Sequence, residues 1–275
     1  MKTHYLLASD FDQTLSFNDS GQVLSELCGI ADFERRVRGL SATHLVQQGA
    51  ELAYLLRHDP EFRAVRREHL IAAGRRVRLK HDVAALVETL RRGFTDTHVH
   101  FVVISASPRL VVQSALEGIV PPENVFGTEV GFDVGTGEIA SVDRVPAGYG
   151  KVAILQEVEH ALGVTPERTI YVGDGSSDLY VMHHVNSCDG HTIAVSETQA
   201  VARVAQRTVL SDSALSVLLP IMEDVLGWPA TRVRELFASQ GYGVRGWDKV
   251  RTDFVTLQRE RPSRAPRTAP GEART

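Results

Sequence analysis

The chain has 275 residues, a formal net charge of −4 and 43% hydrophobic residues. This composition is typical of a soluble globular protein with a substantial core, and it gives no indication of nucleic-acid or membrane binding. The two cysteines lie far apart without metal-ligand spacing, which argues against a disulfide scaffold and fits a reducing compartment. No apolar run is long enough for a signal peptide or a membrane span, so a cytoplasmic protein is expected.

The first predicted element is a buried strand that ends in two aspartates. The segment from His4 to Leu15 reads H-Y-L-L-A-S-D-F-D-Q-T-L. Side chains alternate along a strand, so Asp10 and Asp12 leave it on the same side. Two neighbouring carboxylates repel each other unless a cation or a shared proton relieves them. The pattern alone leaves two interpretations open, a polar turn after a strand or part of an acidic site.

Residues 16–95 have helical periodicity and no good strand. Asp59 and Pro60 are typical of a helix N-cap and a first helical residue, and Gly93 is typical of a helix end. The apolar spacing predicts helices around Val23, Leu24, Leu27 and Cys28; around Leu45, Val46, Gly49, Leu52, Ala53 and Leu56; around Phe62, Val65, His69 and Leu70; and around Val83, Leu86, Val87 and Leu90.

Strands and helices then alternate to about residue 210. The predicted order is a strand at His98–Ser105, a helix from Ser107-Pro108, a short strand at Asn124–Phe126, a hairpin within 126–142, a helix at Lys151–Leu162, a strand at Thr169–Val172, a helix at Ser177–His184 and a strand at His191–Val195. This alternation predicts an α/β fold with an open parallel sheet, in which ligands bind at the carboxyl ends of the strands.

Several polar residues fall at that edge of the predicted sheet. Asp10, Ser105 and Asp174 follow three different strands, and Lys151 opens a helix, where its charge opposes the helix dipole. Each residue alone has an ordinary explanation as a cap, a turn or a solvated charge. Together with Asp12 and Asp178 they predict a site for an oxygen-binding cation and an anionic ligand.

Four segments in order resemble the motifs of the haloacid dehalogenase superfamily: D-F-D-Q-T-L, V-V-I-S-A-S, Lys151 and V-G-D-G-S-S-D-L. The helical insert resembles the cap of the phosphoserine-phosphatase-like branch. The resemblance spans about residues 4–210 and implies a Rossmann-like core with a mostly helical cap after the first strand. The expected domains are 1–15 and 96–212 for the core, 16–95 for the cap and 213–258 for a C-terminal helical extension. Beyond residue 259 the composition predicts a disordered tail, 259–275.

The resemblance implies a nucleophile and an acid–base residue. Asp10 would attack phosphorus to form an aspartyl phosphate, and Asp12 would act as general acid and then as general base. Mg²⁺ would be held by Asp10, the backbone carbonyl of Asp12, and Asp174. Halide needs no proton when it leaves, whereas an alkoxide does, so Asp12 favours a phosphatase over a dehalogenase.

The remaining expected roles concern the phosphate and the leaving group. Ser105 and Lys151 would bind the phosphoryl group, and Asp178 would orient Lys151 or a metal-bound water. Asp19 stands where phosphoserine phosphatases have a glutamate, and we expect it to contribute to substrate choice. The second motif also departs from that branch, with Ser105-Ala106-Ser107 in place of Ser-Gly-Gly, as does Gln13 in the first.

The sequence leaves some alternatives open. A Mg²⁺-dependent phosphatase acting on a small phosphomonoester is the main hypothesis; a non-catalytic or regulatory binding protein of this fold, or a phosphotransferase using the same intermediate, is the alternative. The C-terminal helices either cover the core or support a dimer. A set of basic residues in the cap either binds an anionic tail of the substrate or forms a solvated helix face. Its members are Arg57, Arg63, Arg66, Arg67, Arg75, Arg76, Arg78 and Lys80.

Overall fold

The computed structural model describes residues 2–44, 46–94 and 96–244. The chain divides into two compact units, Met1–Val233 and Arg234–Thr275, and the first contains the sheet and every candidate site residue. The tail predicted to be disordered, 259–275, lies outside the described residues, as does Leu45 of the second predicted helix.

One sheet of seven strands organises the first unit, in the order β4-β3-β2-β1-β5-β6-β7. The strands are β1 Thr3–Ser9, β2 Thr97–Pro108, β3 Val125–Phe132, β4 Ile139–Arg144, β5 Thr169–Gly173, β6 His191–Ala194 and β7 Arg207–Thr208. Every neighbouring pair is parallel except β3 and β4, which form an antiparallel hairpin. The α/β parallel-sheet fold expected from the sequence is confirmed.

The central strand β1 lies between β2 and β5, and this register determines where the polar residues emerge. Ser9 pairs with Val103 on one side and with Val172 on the other. Because the three strands are parallel, the residues that follow these positions reach the same edge of the sheet. Asp10 follows Ser9 directly, and its backbone N–H donates to the carbonyl of Val172 at 2.9 Å. Motifs far apart in sequence therefore converge.

Helices fill the connections between the strands. Between β1 and β2 lie α1 Ser20–Cys28, α2 Phe33–Thr43, α3 Glu51–His58, α4 Pro60–Arg63, α5 Arg67–Arg76 and α6 Val83–Arg92. After β2 come α7 Arg109–Ala115, α8 Tyr149–Leu162, α9 Leu179–Ser187, α10 Gln199–Val204, α11 Leu218–Pro220 and α12 Ala230–Ser239. A 3-10 turn, α11 and a π turn run consecutively through Ala214–Val225. No helix among the described residues is long and apolar enough to cross a bilayer.

The helical insert differs from prediction in three places. The helix predicted from residue 45 begins only at Glu51, because Gly49 has a φ of +89° and cannot continue a right-handed helix. Helix α2 was not predicted, since only three apolar residues mark its inner face. The helix predicted from Pro60 is split into α4 and α5 by the extended backbone of Arg66.

Among the described residues, two clusters of buried apolar side chains hold the first unit together. The first lies between the sheet and α8, α9 and α10; the second joins the insert to α7 and β4. The first comprises Leu6, Ala8, Val102, Ile104, Ile154, Leu155, Val158, Val164, Tyr171, Val181, Met182, Val185, Ala194 and Val201. The second comprises Val23, Leu24, Ile30, Phe33, Leu52, Leu55, Leu56, Phe62, Val65, Leu70, Ala73, Val111 and Ile139. The insert is therefore packed against the rest of the first unit.

The contact between α5 and α7 depends on a glycine. A Cβ atom at Gly74 would lie 2.3 Å from the carbonyl oxygen of Val111, which is backbone and cannot move aside cheaply. Gly74→Ala is expected to lower the free energy of unfolding by about 1–3 kcal/mol, as overpacking does. Gly39 in α2 is a matched control, because a Cβ there would meet open space. Gly39→Ala should raise stability by about 0.5–1 kcal/mol. Equal midpoints for the two variants in urea unfolding would contradict the proposed close packing.

Candidate active site

A cavity of about 290 Å³ opens where the three central strands end. Asp10, Asp12, Ser105 and Asp174 line the side of the cavity that the sheet forms. The insert, including the loop after α2, provides the opposite side of the cavity. The structure thus brings together the polar residues that the sequence places at separate strand ends.

A buried ion network lies behind Asp10. Lys151 Nζ is 2.7 Å from Asp10 Oδ1 and 2.6 Å from Asp178 Oδ1, and it lies 3.2 Å from the hydroxyl of Tyr171. That hydroxyl in turn donates to Asp178 Oδ1 at 2.7 Å. Lys151 and Asp178 are fully buried. The lysine therefore bridges two carboxylates from beneath the cavity.

Electrostatics keep this lysine charged. Burial alone would lower the pKa of Lys151, but Asp10 and Asp178 outweigh burial and raise it. The second oxygen of Asp178 accepts the backbone N–H groups of Asp174 and Gly175, both at 3.1 Å. Asp178 thus fixes both Lys151 and the loop that carries Asp174. Gly173 makes this approach possible, since a Cβ atom there would lie 2.5 Å from the Asp178 carboxylate.

The acidic residues fit a hard, oxygen-binding cation. Oxygens of Asp10, Asp174 and Asp178 all lie within 4.8 Å of one another. Burial, followed by the charges of Asp10 and Asp178, raises the pKa of Asp174 to about 8, so a charged Asp174 needs a compensating cation. Since both Asp178 oxygens already accept hydrogen bonds, Asp10 and Asp174 are the better placed ligands.

Asp12 is held by two serines. Ser107 Oγ lies 2.5 Å from Asp12 Oδ2, and Ser20 contacts both carboxylate oxygens, through its backbone N–H at 2.8 Å and its hydroxyl at 3.0 Å. Burial and the nearby charge of Asp19 raise the pKa of Asp12 to about 7, although the hydrogen bond from Ser107 acts to lower it. A carboxyl group with a pKa near neutrality is suited to proton transfer in both directions.

The family model described as haloacid dehalogenase-like hydrolase matches residues 7–183. The chain belongs to this family. It shares its fold with a substrate-bound phosphoserine phosphatase complex, at 18% identity and a TM-score of 0.64, covering 79% of this chain and 98% of the other. A phosphoserine phosphohydrolase-like protein from Francisella tularensis is also similar (18% identity, TM-score 0.58, 80% and 100% covered). A haloacid dehalogenase family hydrolase from Salmonella enterica serovar Typhi is similar as well, at 15% identity and a TM-score of 0.63, covering 80% of this chain and 71% of the other. No curated protein matches the sequence.

The haloacid dehalogenase-like chain places two further predicted residues at the cavity. Ser105 is buried, and its Oγ accepts the backbone N–H of Ser107 at 3.2 Å, which leaves its hydroxyl proton available to a ligand. Asp19 caps α1 by accepting the N–H of Gln22 at 3.0 Å, and it lines the insert side of the cavity. Burial raises the pKa of Asp19.

The basic set of the insert does not line the cavity. Its seven arginines are all solvent-exposed, as expected for a solvated helix face. Lys80 is half-buried; burial lowers its pKa, and the charges of Asp174 and Asp212 oppose that change. Of the two interpretations that the sequence leaves open, the structure favours the solvated face for the arginines.

The loop between α2 and α3 closes one side of the cavity. Gly49 approaches Ser177 so closely that a Cβ atom would lie 2.7 Å from that side chain. The amide of Gln47, with its nitrogen toward Ala147, donates to the carbonyl of Ala147 at 3.2 Å and accepts the N–H of Tyr149 at 2.9 Å. The insert is thereby joined to the start of α8 and to the loop after β5.

The residues of this site that sequence reasoning missed include Ser20, Glu51, Ser107 and Tyr171. Ser107 could have been found, because it stands two positions after Ser105 in an extended segment and therefore shares its side. Tyr171 in a buried strand also carries a signal, since its hydroxyl needs a partner there. Ser20 and Glu51 have no signal in their local sequence, because only the fold brings Ser20 to Asp12 and Glu51 to the cavity.

Proposed function

We propose that this hydrolase is a Mg²⁺-dependent phosphatase that acts on a small phosphomonoester through a covalent intermediate on Asp10. The observation that supports this most strongly is Asp10 itself, which faces the cavity with the charged Lys151 behind it and Asp12 beside it. The retained nucleophile and acid–base pair argue against a non-catalytic binding protein. Free Cys28 and Cys188 support a reducing compartment such as the cytoplasm.

In the first half-reaction an Asp10 oxygen attacks phosphorus, and the bond from phosphorus to the leaving oxygen breaks. Asp12, with its pKa near 7, gives its proton to that oxygen, so the alcohol leaves neutral. Ser105 donates to a phosphoryl oxygen, while Lys151 supplies positive charge at the attacking carboxylate. Asp178 and Tyr171 hold the lysine in place.

In the second half-reaction Asp12 accepts a proton from a water molecule that attacks the phosphoaspartate. The bond between phosphorus and the Asp10 oxygen breaks, and inorganic phosphate leaves. Mg²⁺, held by Asp10, Asp174 and the backbone carbonyl of Asp12, would neutralise charge on the phosphoryl oxygens. The α2–α3 loop, in contact with Ser177, would limit the access of other water to the intermediate.

The test is hydrolysis of p-nitrophenyl phosphate by the purified protein with Mg²⁺ and with EDTA. We expect activity with Mg²⁺, its loss in EDTA and its recovery on addition of excess Mg²⁺. A panel of phosphorylated metabolites would then identify natural substrates. No hydrolysis of any phosphomonoester in the presence of Mg²⁺ would overturn the proposal.

The pKa values of the acidic cluster predict how metal binding depends on pH. Burial is the main reason that the pKa values of Asp10, Asp12 and Asp174 are raised, to about 6, 7 and 8, from 3.8. Between about pH 4 and 8 the folded chain then binds more protons than the unfolded chain, so the stability of the metal-free protein falls as the pH rises. Mg²⁺ competes with those protons, and it should stabilise the protein more at pH 8 than at pH 5.5.

Thermal unfolding at both pH values, with and without Mg²⁺, measures this. A concentration about a hundred times Kd should add about 2.7 kcal/mol, or roughly 5–10 °C in Tm, at pH 8. Asp174→Asn should remove this shift while leaving the metal-free Tm unchanged or higher, because the substitution also removes a repulsive charge. A Mg²⁺ shift of the same size in Asp174→Asn would place the cation elsewhere.

A further inference from the structure

The insert side of the cavity lies away from the proposed phosphoryl pocket. Two carboxylates line it, those of Asp19 and Glu51, together with the apolar side chains of Phe33, Val37 and Leu52. These groups are placed to contact whatever the phosphate is attached to. They therefore bear on which alcohol the enzyme would release.

Both carboxylates are held in place by the insert. Glu51 is only 6% exposed, and it accepts the hydroxyl of Ser41 at 2.7 Å and the N–H of Gly49 at 2.8 Å. Asp19 accepts the N–H of Gln22 at 3.0 Å. Gly21 lets the wall close tightly here, because a Cβ atom would lie 2.5 Å from the Phe33 ring and 3.1 Å from Asp19.

Among the described residues, no cation balances either carboxylate. No Lys, Arg or His among the described residues lines the cavity, and the partners of Asp19 and Glu51 are neutral donors. Lys151, the cation that contacts Asp10, is already shared by Asp10 and Asp178. A cationic ligand would complement these two carboxyl groups, whereas a carboxylate in the same place would add a third acidic group.

An aromatic ring completes the environment for a cation. Phe33 is 8% exposed and faces the cavity together with Val37 and Leu52. The face of an aromatic ring attracts ammonium groups, more strongly when they are methylated and poorly hydrated, and apolar side chains suit a short alkyl chain. Acidic and aromatic groups together select a positively charged amine on a carbon chain.

Given the proposed phosphatase function, we infer that the substrate is an aminoalkyl phosphate, a phosphomonoester whose leaving alcohol carries an ammonium group and no carboxylate. The ammonium group would lie against Asp19, Glu51 and Phe33 while the phosphate meets Asp10. This excludes phosphoserine as the preferred substrate, since its carboxylate would find no cation among the described cavity residues. In 2-aminoethyl phosphate and its N-methylated forms the required groups are present without the carboxylate.

The test compares kcat/KM for three esters that share the phosphate and differ in the leaving group: 2-aminoethyl phosphate, ethyl phosphate and phosphoserine. We expect 2-aminoethyl phosphate to exceed each of the others by about tenfold or more, which corresponds to one good polar contact. Ethyl phosphate lacks only the ammonium group, so it isolates the contribution of that charge. Phosphoserine adds only the carboxylate, so it isolates the predicted repulsion.

Substitutions test whether Asp19 and Glu51 cause the preference for 2-aminoethyl phosphate. Asp19→Asn and Glu51→Gln should each reduce the ratio of kcat/KM for 2-aminoethyl phosphate to kcat/KM for ethyl phosphate by about tenfold. Glu26→Gln is the matched control, because Glu26 is an exposed acid on α1 that does not line the cavity. It should leave the preference unchanged.

The outcomes separate this inference from the proposed function. If no phosphomonoester is hydrolysed, the phosphatase proposal fails. If p-nitrophenyl phosphate is hydrolysed but phosphoserine or ethyl phosphate matches 2-aminoethyl phosphate, the phosphatase proposal stands and the inference is wrong. If the wild-type enzyme prefers 2-aminoethyl phosphate and both variants keep that preference, other residues bind the ammonium group, and the assignment to Asp19 and Glu51 is overturned.

Discussion

Asp10→Asn is expected to remove turnover and leave the fold in place. An amide cannot replace a carboxylate as the attacking group, and removal of a nucleophile typically lowers kcat by about a thousandfold or more. The fold should tolerate the change, because burial already disfavours the charged form of Asp10 and raises its pKa to about 6. Asp178 still pairs with Lys151 in the variant. Initial rates with p-nitrophenyl phosphate and thermal unfolding measure the two effects separately.

Asp12→Asn provides the matched comparison. p-Nitrophenolate leaves without a proton, so this variant should still form the phosphoaspartate and release p-nitrophenolate once per enzyme. Turnover should then be slow, because no group remains to activate the water. A rapid-mixing experiment should show this burst in Asp12→Asn and none in Asp10→Asn. Retention in Asp10→Asn of more than about a tenth of the wild-type rate would contradict the covalent mechanism.

The sequence predicts the sheet edge well because the signals there are local. The apolar runs that end at Asp10, Ser105 and Asp174 define strands, and parallel strands necessarily present their carboxyl ends together. Lys151 also carries a local signal, since a lysine in the first turn of a helix opposes the helix dipole. The residues of the ion network around Asp10 can therefore be predicted from local patterns in the sequence.

The insert side of the cavity is predicted poorly because it depends on packing between distant segments. Helix α2 exposes most of its surface, so few apolar residues mark it, yet its Phe33 forms part of the cavity wall. Glu51 resembles an ordinary first-turn acid, and only the turn at Gly49 brings it inward. Ser20 contacts Asp12 because β1 and α1 are joined by a short connection. The prediction that 16–95 forms a separate cap stays a prediction.

Lys151→Met should destabilise the protein strongly. Methionine keeps much of the apolar stem but removes the charge that Asp10 and Asp178 share at 2.7 and 2.6 Å. Asp178 is fully buried, so it cannot regain that interaction from water. Removing one partner of a buried ion pair typically costs about 3–5 kcal/mol, and we expect a loss of this size near pH 8, together with loss of phosphatase activity. Urea unfolding measures it.

Two controls and the pH dependence identify the cause. Arg144→Met breaks an exposed pair, Arg144 with Glu157 at 2.6 Å, and should cost less than about 1 kcal/mol. Without the lysine, the buried carboxylates can escape their charge by taking up protons, so the loss in Lys151→Met should be smaller at pH 5.5 than at pH 8. Adding Asp178→Asn should recover part of the stability at pH 8 but none of the activity. The explanation would be wrong if Lys151→Met lost no more stability than Arg144→Met, or if it lost the same amount at both pH values. Unpaired buried charge would then not be the cause of the loss, and Lys151 would not be the cation that holds Asp10 in its ionised form.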